Sequence, residues 1–151
     1  MELHVPTSAR TLGLSNVYSA TQLRDLYDFA ATKPRVLQNR FYAGTGYDGE
    51  VRAFCAEKGI VYQSFWTLTA NPGLLRSGVV GEVAGRVGVS EAVAVYALVL
   101  GLGEVSVLDG TTDAGRMRED VVGVGKVLAW AGREAEAWDE MQAKFERLIG
   151  A

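Results

Sequence analysis

The chain reads as short apolar runs alternating with longer segments whose apolar residues fall three and four positions apart. Thr11–Leu14 is the first run, closing on Ser15, Asn16 and Val17. Ser19 and Gln22 then stand at the S-x-x-Q spacing of a capping box, which satisfies free amides at a helix start. Leu23, Leu26, Tyr27 and Ala30 follow at helical spacing, so one face of that helix is apolar. Lys33–Pro34 ends it, because proline disfavours helix in the residue before it. Val36–Phe41 reads as a second strand, and Gly44 and Gly46 as a flexible loop. Asp48 is placed to cap the next helix, whose Val51, Phe54 and Cys55 face inward and which Gly59 ends as a left-handed glycine. Ile60–Phe65 is a third strand.

The connection Trp66–Gly78 carries Asn71–Pro72–Gly73, a turn signal. One helix then uses Val79, Val80, Val83, Ala84 and Val87 and stops at Gly88. Another starts at Ser90, runs through Val93, Ala94, Ala97 and Leu98, and is closed by Gly101 and Gly103. Val105–Leu108 is a fourth strand. After the polar loop Asp109–Asp113 a short helix is expected over Arg116–Asp120. A last amphipathic helix carries Trp138, Met141, Phe145 and Leu148. Strands alternating with helices imply an α/β fold of parallel strands joined by helical crossovers. Four such units are half of the eight that close a TIM (β/α)8 barrel, where functional residues lie at the C-terminal strand ends.

Composition narrows the function classes. At 151 residues, 48% of them hydrophobic, the chain fits one domain with a sizeable core. The net charge of −3 and the lack of a basic run argue against a general nucleic-acid or membrane-surface role. A single Cys, Cys55, excludes an internal disulfide and a cysteine-rich metal site. No secretory signal or membrane-length apolar run is evident, so a soluble, cytoplasmic protein is expected.

Each strand-end residue has a plain structural reading. Ser15–Asn16 alone is a loop pair, Gln38 a satisfied buried amide, and Phe65 a core aromatic. Thr111–Thr112–Asp113 alone is a helix cap, and Arg116 with Glu119 an ordinary i,i+3 pair.

Their order gives a second reading. Gly13–Leu14–Ser15–Asn16 resembles the G-[LIV]-S-N strand end of aldo-keto reductases, and Val36–Leu37–Gln38–Asn39 their V-x-Q-N strand. Phe54–Ile60, ending in Phe65–Trp66–Thr67–Leu68, resembles the next helix and strand. Gly110–Thr111–Thr112–Asp113, with Arg116, Glu119 and Asp120, resembles the family's G-T-x-N…R…E-N segment. The whole chain, 1–151, is thereby read as a partial aldo-keto reductase-like domain, with residues 10–122 the best-matching region and four strand–helix units forming the second half of the barrel.

The resemblance implies a nicotinamide cofactor, NADP by family habit with NAD left open. It implies that Ser15, Asn16 and Gln38 bond the nicotinamide carboxamide and that Phe65 stacks on the ring. Leu68 would lie along the pyrophosphate; Thr111, next to Gly110 in the same cofactor loop, would contact the 2′-phosphate; Arg116 would pair with that phosphate or stack on adenine; Glu119 and Asp120 would meet the adenine amino group. Two positions depart from the pattern. Gly110 stands where many members have Lys, and Asp120 replaces the usual Asn.

The family's catalytic Asp, Tyr, Lys and His lie on strands before the matching region. His4 precedes the first strand; Tyr18, Tyr42 and Tyr47 lie near strand ends, but Lys33, Lys58, Lys126 and Lys144 lie on or beside helices. No Tyr–Lys pair is visible at adjacent strand ends, so no catalytic residue is named. Half a barrel also leaves two sheet edges and the inner strand faces, expected to be apolar, without cover. Three readings stand: part of an NADP-dependent oxidoreductase whose frame continues upstream of Met1; a non-catalytic nucleotide-binding or scaffold half-barrel that pairs with a second copy or another chain; and an enzyme whose acid comes from a partner.

Overall fold

A computed structural model describes residues 2–150. Its four strands are β1 (Gly13–Ser15), β2 (Val36–Arg40), β3 (Val61–Phe65) and β4 (Val105–Val107). They form one sheet in the order β1-β2-β3-β4, every neighbouring pair parallel. The crossovers are α1 (Ala20–Phe29), α2 (Gly49–Lys58), and the series α3 (Pro72–Leu75), α4 (Gly78–Val87) and α5 (Glu91–Leu100). After β4 come α6 (Ala114–Arg133) and α7 (Ala135–Ile149). The four strand–helix units are those expected from the alternating pattern.

Helix ends follow from local chemistry. The Ser19 hydroxyl accepts from the Gln22 amide at 3.2 Å, and the Ser90 hydroxyl from the Val93 amide at 3.4 Å. Gly59 and Gly88 stop α2 and α4 with φ of +62° and +70°, a region where a Cβ is strained. α5 sits inside the molecule, with Val93 to Val99 all buried, because α4, α6 and β4 all pack against it. Among the described residues no single helix is long and apolar enough to cross a membrane.

Five details differ from the sequence reading. The helix expected over Arg116–Asp120 runs from Ala114 to Arg133. Gly123 does not break it; Gly123 is the notch where α6 meets α5, and a Cβ there would stand 2.8 Å from a Val93 methyl. Pro72, instead of marking a bare turn, occupies the first turn of the short α3, where its missing N–H costs nothing. Gly44 and Gly46 lie in a 3-10 segment, Ala43–Asp48. Asp48 gives α2 no side-chain cap and is instead turned into the interior. In α7, Ile149 takes the buried position expected of Leu148. Met141 and Phe145 are fully buried as the spacing predicts.

Strand periodicity sorts the two sheet faces. Leu37, Asn39, Tyr62 and Ser64 are buried under the helices, with Leu23, Phe54, Val93 and Leu98 completing the core. The opposite face carries the half-buried Val36, Gln38, Arg40, Val61, Gln63 and Phe65. Pairing aligns Ser15, Gln38, Gln63 and Ser106 in one row across it. The open face is therefore banded with polar groups, not the apolar surface expected of a bare half-barrel.

Candidate functional site

Ser15, Asn16 and Gln38 meet at the C-terminal ends of β1 and β2. The Ser15 hydroxyl donates to the Gln38 carbonyl at 3.0 Å, and the Asn16 amide donates to the same oxygen at 3.1 Å. Asn16 turns left-handed there, at φ 60°, a region asparagine tolerates better than most residues. Its side-chain NH2 reaches the Ser15 hydroxyl at 3.1 Å, and its carbonyl accepts from the Tyr18 hydroxyl at 2.8 Å. The Gln38 amide donates to Gln63 at 2.7 Å, joining β2 to β3 across the open face.

Asn39 lies beneath this cluster, fully buried, and fixes it. Its carbonyl accepts from the Val17 amide at 3.1 Å, and its NH2 donates to the Val17 carbonyl at 2.7 Å and to Asp48 at 2.8 Å. The loop that carries Ser15 and Asn16 is thus tied to β2 by the residue next to Gln38, on the other face of the strand.

A second site lies between the loop after β3 and the start of α6. It is an open groove of about 720 Å3. Phe65, Leu68, Gly110, Thr111, Arg116, Glu119 and Asp120 line it, so the structure brings together seven of the ten residues expected to touch a cofactor. The other three stand on the strand-end cluster. Phe65 borders the groove from the end of β3, in register with Arg40 of the neighbouring strand.

The groove walls are held from behind. Buried Asn71 donates to the Phe41 carbonyl at 2.6 Å and the Thr67 carbonyl at 3.0 Å, and the Ser64 and Thr67 hydroxyls meet at 2.6 Å. Opposite, the Thr111 amide donates to Asp109 at 3.0 Å, and the Thr111 hydroxyl accepts from the Asp113 amide at 3.1 Å. Asp113 caps α6, accepting from the Arg116 amide at 2.9 Å, and those backbone bonds hold its carboxyl below the usual range. Asp113 thus takes the capping role that its sequence allows, and among the described residues no carboxylate lies within ion-pair distance of Arg116.

Sequence reasoning missed several groove residues. Asp109, Ser90, Trp66 and Tyr96 also line it. Tyr96 sits in the most apolar helix and reads as core, yet its hydroxyl lies near Asp109; burial, and then the Asp109 and Asp120 charges, push it up to about 12. Trp66 is left-handed, at φ 56°, with the Arg40 guanidinium 4.3 Å from its ring. Gln63 could have been found, since it stands two residues before Phe65 and so shares its face.

Among the described residues, lysine meets tyrosine only beside the helices. Lys33 and Lys58 do approach Tyr27, at 5.1 and 5.9 Å from its ring, but all three lie on or beside α1 and α2. Among the described residues no group of three His, Cys, Asp or Glu side chains is placed to hold a metal ion.

No protein-family model and no curated protein sequence matches this chain. Solved structures do. Aldose reductase from Giardia lamblia superposes with a TM-score of 0.65 over 84% of this chain and 47% of its own, at 20% identity. The aldo/keto reductase from Brucella melitensis gives 0.65 over 80% and 44%, at 18% identity. The aldo-keto reductase of the silkworm Bombyx mori gives 0.67 over 83% and 43%, at 14% identity. The fold is that of about half an aldo-keto reductase barrel. The chain spans less than half the length of these aldo-keto reductases. Identities this low establish a shared fold alone.

Proposed function

We propose that this chain cradles a nicotinamide dinucleotide across the C-terminal ends of its strands. In this reading Ser15, Asn16 and Gln38 receive the nicotinamide carboxamide, Phe65 stacks on the ring, and the groove at α6 receives the adenosine half. The observation that carries the proposal is the grouping of Phe65, Leu68, Gly110, Thr111, Arg116, Glu119 and Asp120 in one groove, from two segments over forty residues apart in sequence. Carbonyl reduction would draw on this cofactor, with the proton donor supplied by strands or a chain outside these residues. Four titrations test the reading, in which calorimetry follows NADPH and NADH binding to the chain and to Arg116→Ala. Arg116 is the groove's one guanidinium, so its loss is expected to weaken binding by about tenfold, the range for a charge-assisted bond. Equal affinity in the two proteins discards the groove as the adenosine site.

A second reading concerns assembly. β1 and β4 both lie at sheet edges, and apolar side chains are exposed beside each: Leu26 and Phe29 on α1, Val121 and Val122 on α6. This favours a partner that completes the barrel, in the simplest case a second copy of the chain. Four strands and four strands make the eight that close it.

A further inference from the structure

The charge inside the groove opposes one class of ligand. Its charged lining is Arg116 against Asp109, Glu119 and Asp120. A helix N-terminus near a groove often holds phosphate, but here Asp113 already occupies the start of α6 with its own carboxylate. Thr111 is also engaged, its amide on Asp109 and its hydroxyl under the Asp113 amide. Gly110 contributes no side chain. We propose that this groove selects against a 2′-phosphate, so that the chain takes NAD(H) in preference to NADP(H), with Asp109 and Asp120 as the discriminating pair.

The inference rests on the reading that the groove receives the adenosine half of a dinucleotide. A phosphate monoester brings close to two negative charges. Arg116 alone faces it, while the carboxylates repel it and are acceptors only, with no proton to offer. A ribose 2′-hydroxyl has the opposite character: it donates, and a carboxylate receives it well.

The groups around Asp120 give the selection a pH dependence. Asp109 faces it from the loop after β4, Tyr96 from α5, and Glu119 and Arg116 from its own helix. Burial, then Asp109 and Glu119, push Asp120 up to about 6, and Arg116 pulls it down only in part. Above that pH Asp120 carries its full charge. Below it the site gains a proton, repulsion falls, and a polyanion binds better. Discrimination against the 2′-phosphate is therefore strongest at high pH and fades as pH drops through about 6.

Calorimetric titration of the chain and of Asp120→Asn with NAD+ and with NADP+, at about pH 8 and about pH 5, tests the proposal. At the higher pH NAD+ is expected to bind roughly fivefold tighter than NADP+, the scale of one partly exposed charge interaction. In Asp120→Asn that ratio falls toward unity at the higher pH, and lowering the pH moves the ratio further in the unaltered chain than in the variant, where only the 2′-phosphate itself, with its second pKa of about 6, gains a proton. Tighter binding of NADP+ at the higher pH, or a ratio unmoved by Asp120→Asn, overturns the selection while leaving the cradle intact. Binding of neither nucleotide at either pH overturns the cradle reading itself, and the selection with it.

Discussion

Replacing Asp48 with alanine is expected to lower the stability of the chain by about 2–4 kcal/mol, seen as a fall in Tm of roughly 6–12 °C. Asp48 is 3% exposed, and one carboxylate oxygen accepts from Asn39 at 2.8 Å and from the Tyr62 hydroxyl at 2.9 Å. Alanine removes that acceptor and strands two buried donors, each costing about 1–3 kcal/mol. It also puts a Cβ-bearing residue with no polar side chain at φ 54°, where Asp and Asn are tolerated. Asp48→Asn separates the causes. It keeps an acceptor oxygen and tolerates the backbone, so only the charge-assisted part is lost, about 1 kcal/mol. Tyr62 stays a donor throughout, because burial and the Asp48 charge drive its phenol well above the ordinary range. Thermal and urea denaturation measure both variants. A loss in Asp48→Ala below about 0.5 kcal/mol, or equal losses in the two, contradicts the network. Asn39 links this network to the loop that carries Ser15 and Asn16, so the same variant should also loosen that strand end.

The largest change in solution behaviour is expected from assembly. Light scattering at micromolar concentration should report about twice the 16.2 kDa chain mass, and Phe29→Glu should return it to the single-chain value. Phe29 is 90% exposed on α1 and lines, with Leu12, Leu14 and Leu26, a small apolar recess of about 190 Å3 beside the β1 edge. At the other end of the sheet, Val121 is 76% exposed on α6, the helix that follows β4. A parallel edge strand with unpaired amides and carbonyls, flanked by bare apolar side chains, is the usual prelude to pairing with another chain. A two-fold arrangement would let β1 of each copy meet β4 of the other, covering both edges at once. A monomer for the unaltered chain at that concentration removes this reading, and a dimer that survives Phe29→Glu places the interface elsewhere.

Much of the fold was legible because the sequence states it locally. The Ser19 and Ser90 caps, the left-handed Gly59 and Gly88 and the spacing of Val79, Val80 and Val83 each act within a few residues. The length of α6 was not, because Gly123 lowers helix propensity and only the distant Val93 gives that glycine its use. Asp48 looked like a cap for the same reason: position in the chain suggests capping, while the pull toward Tyr62 and Asn39 is tertiary. The polar band Ser15–Gln38–Gln63–Ser106 also needs the strand register, which single strands do not reveal. Seven of the proposed cofactor residues converge in one groove, but Asp109, which adds to its negative charge, and Tyr96, packed beside it, carry no motif. Their part emerges only when β4, α5 and α6 are brought side by side.

The cradle is tested most directly by an amide NMR titration of the labelled chain with NADH, which reads every strand end at once. Binding across the C-terminal ends predicts saturable shifts in two groups together, one at Ser15, Asn16, Gln38 and Phe65 and the other from Gly110 to Asp120. Shifts confined to another surface, such as the cavity between Tyr18 and Arg52, or no shifts up to millimolar nucleotide, would contradict it.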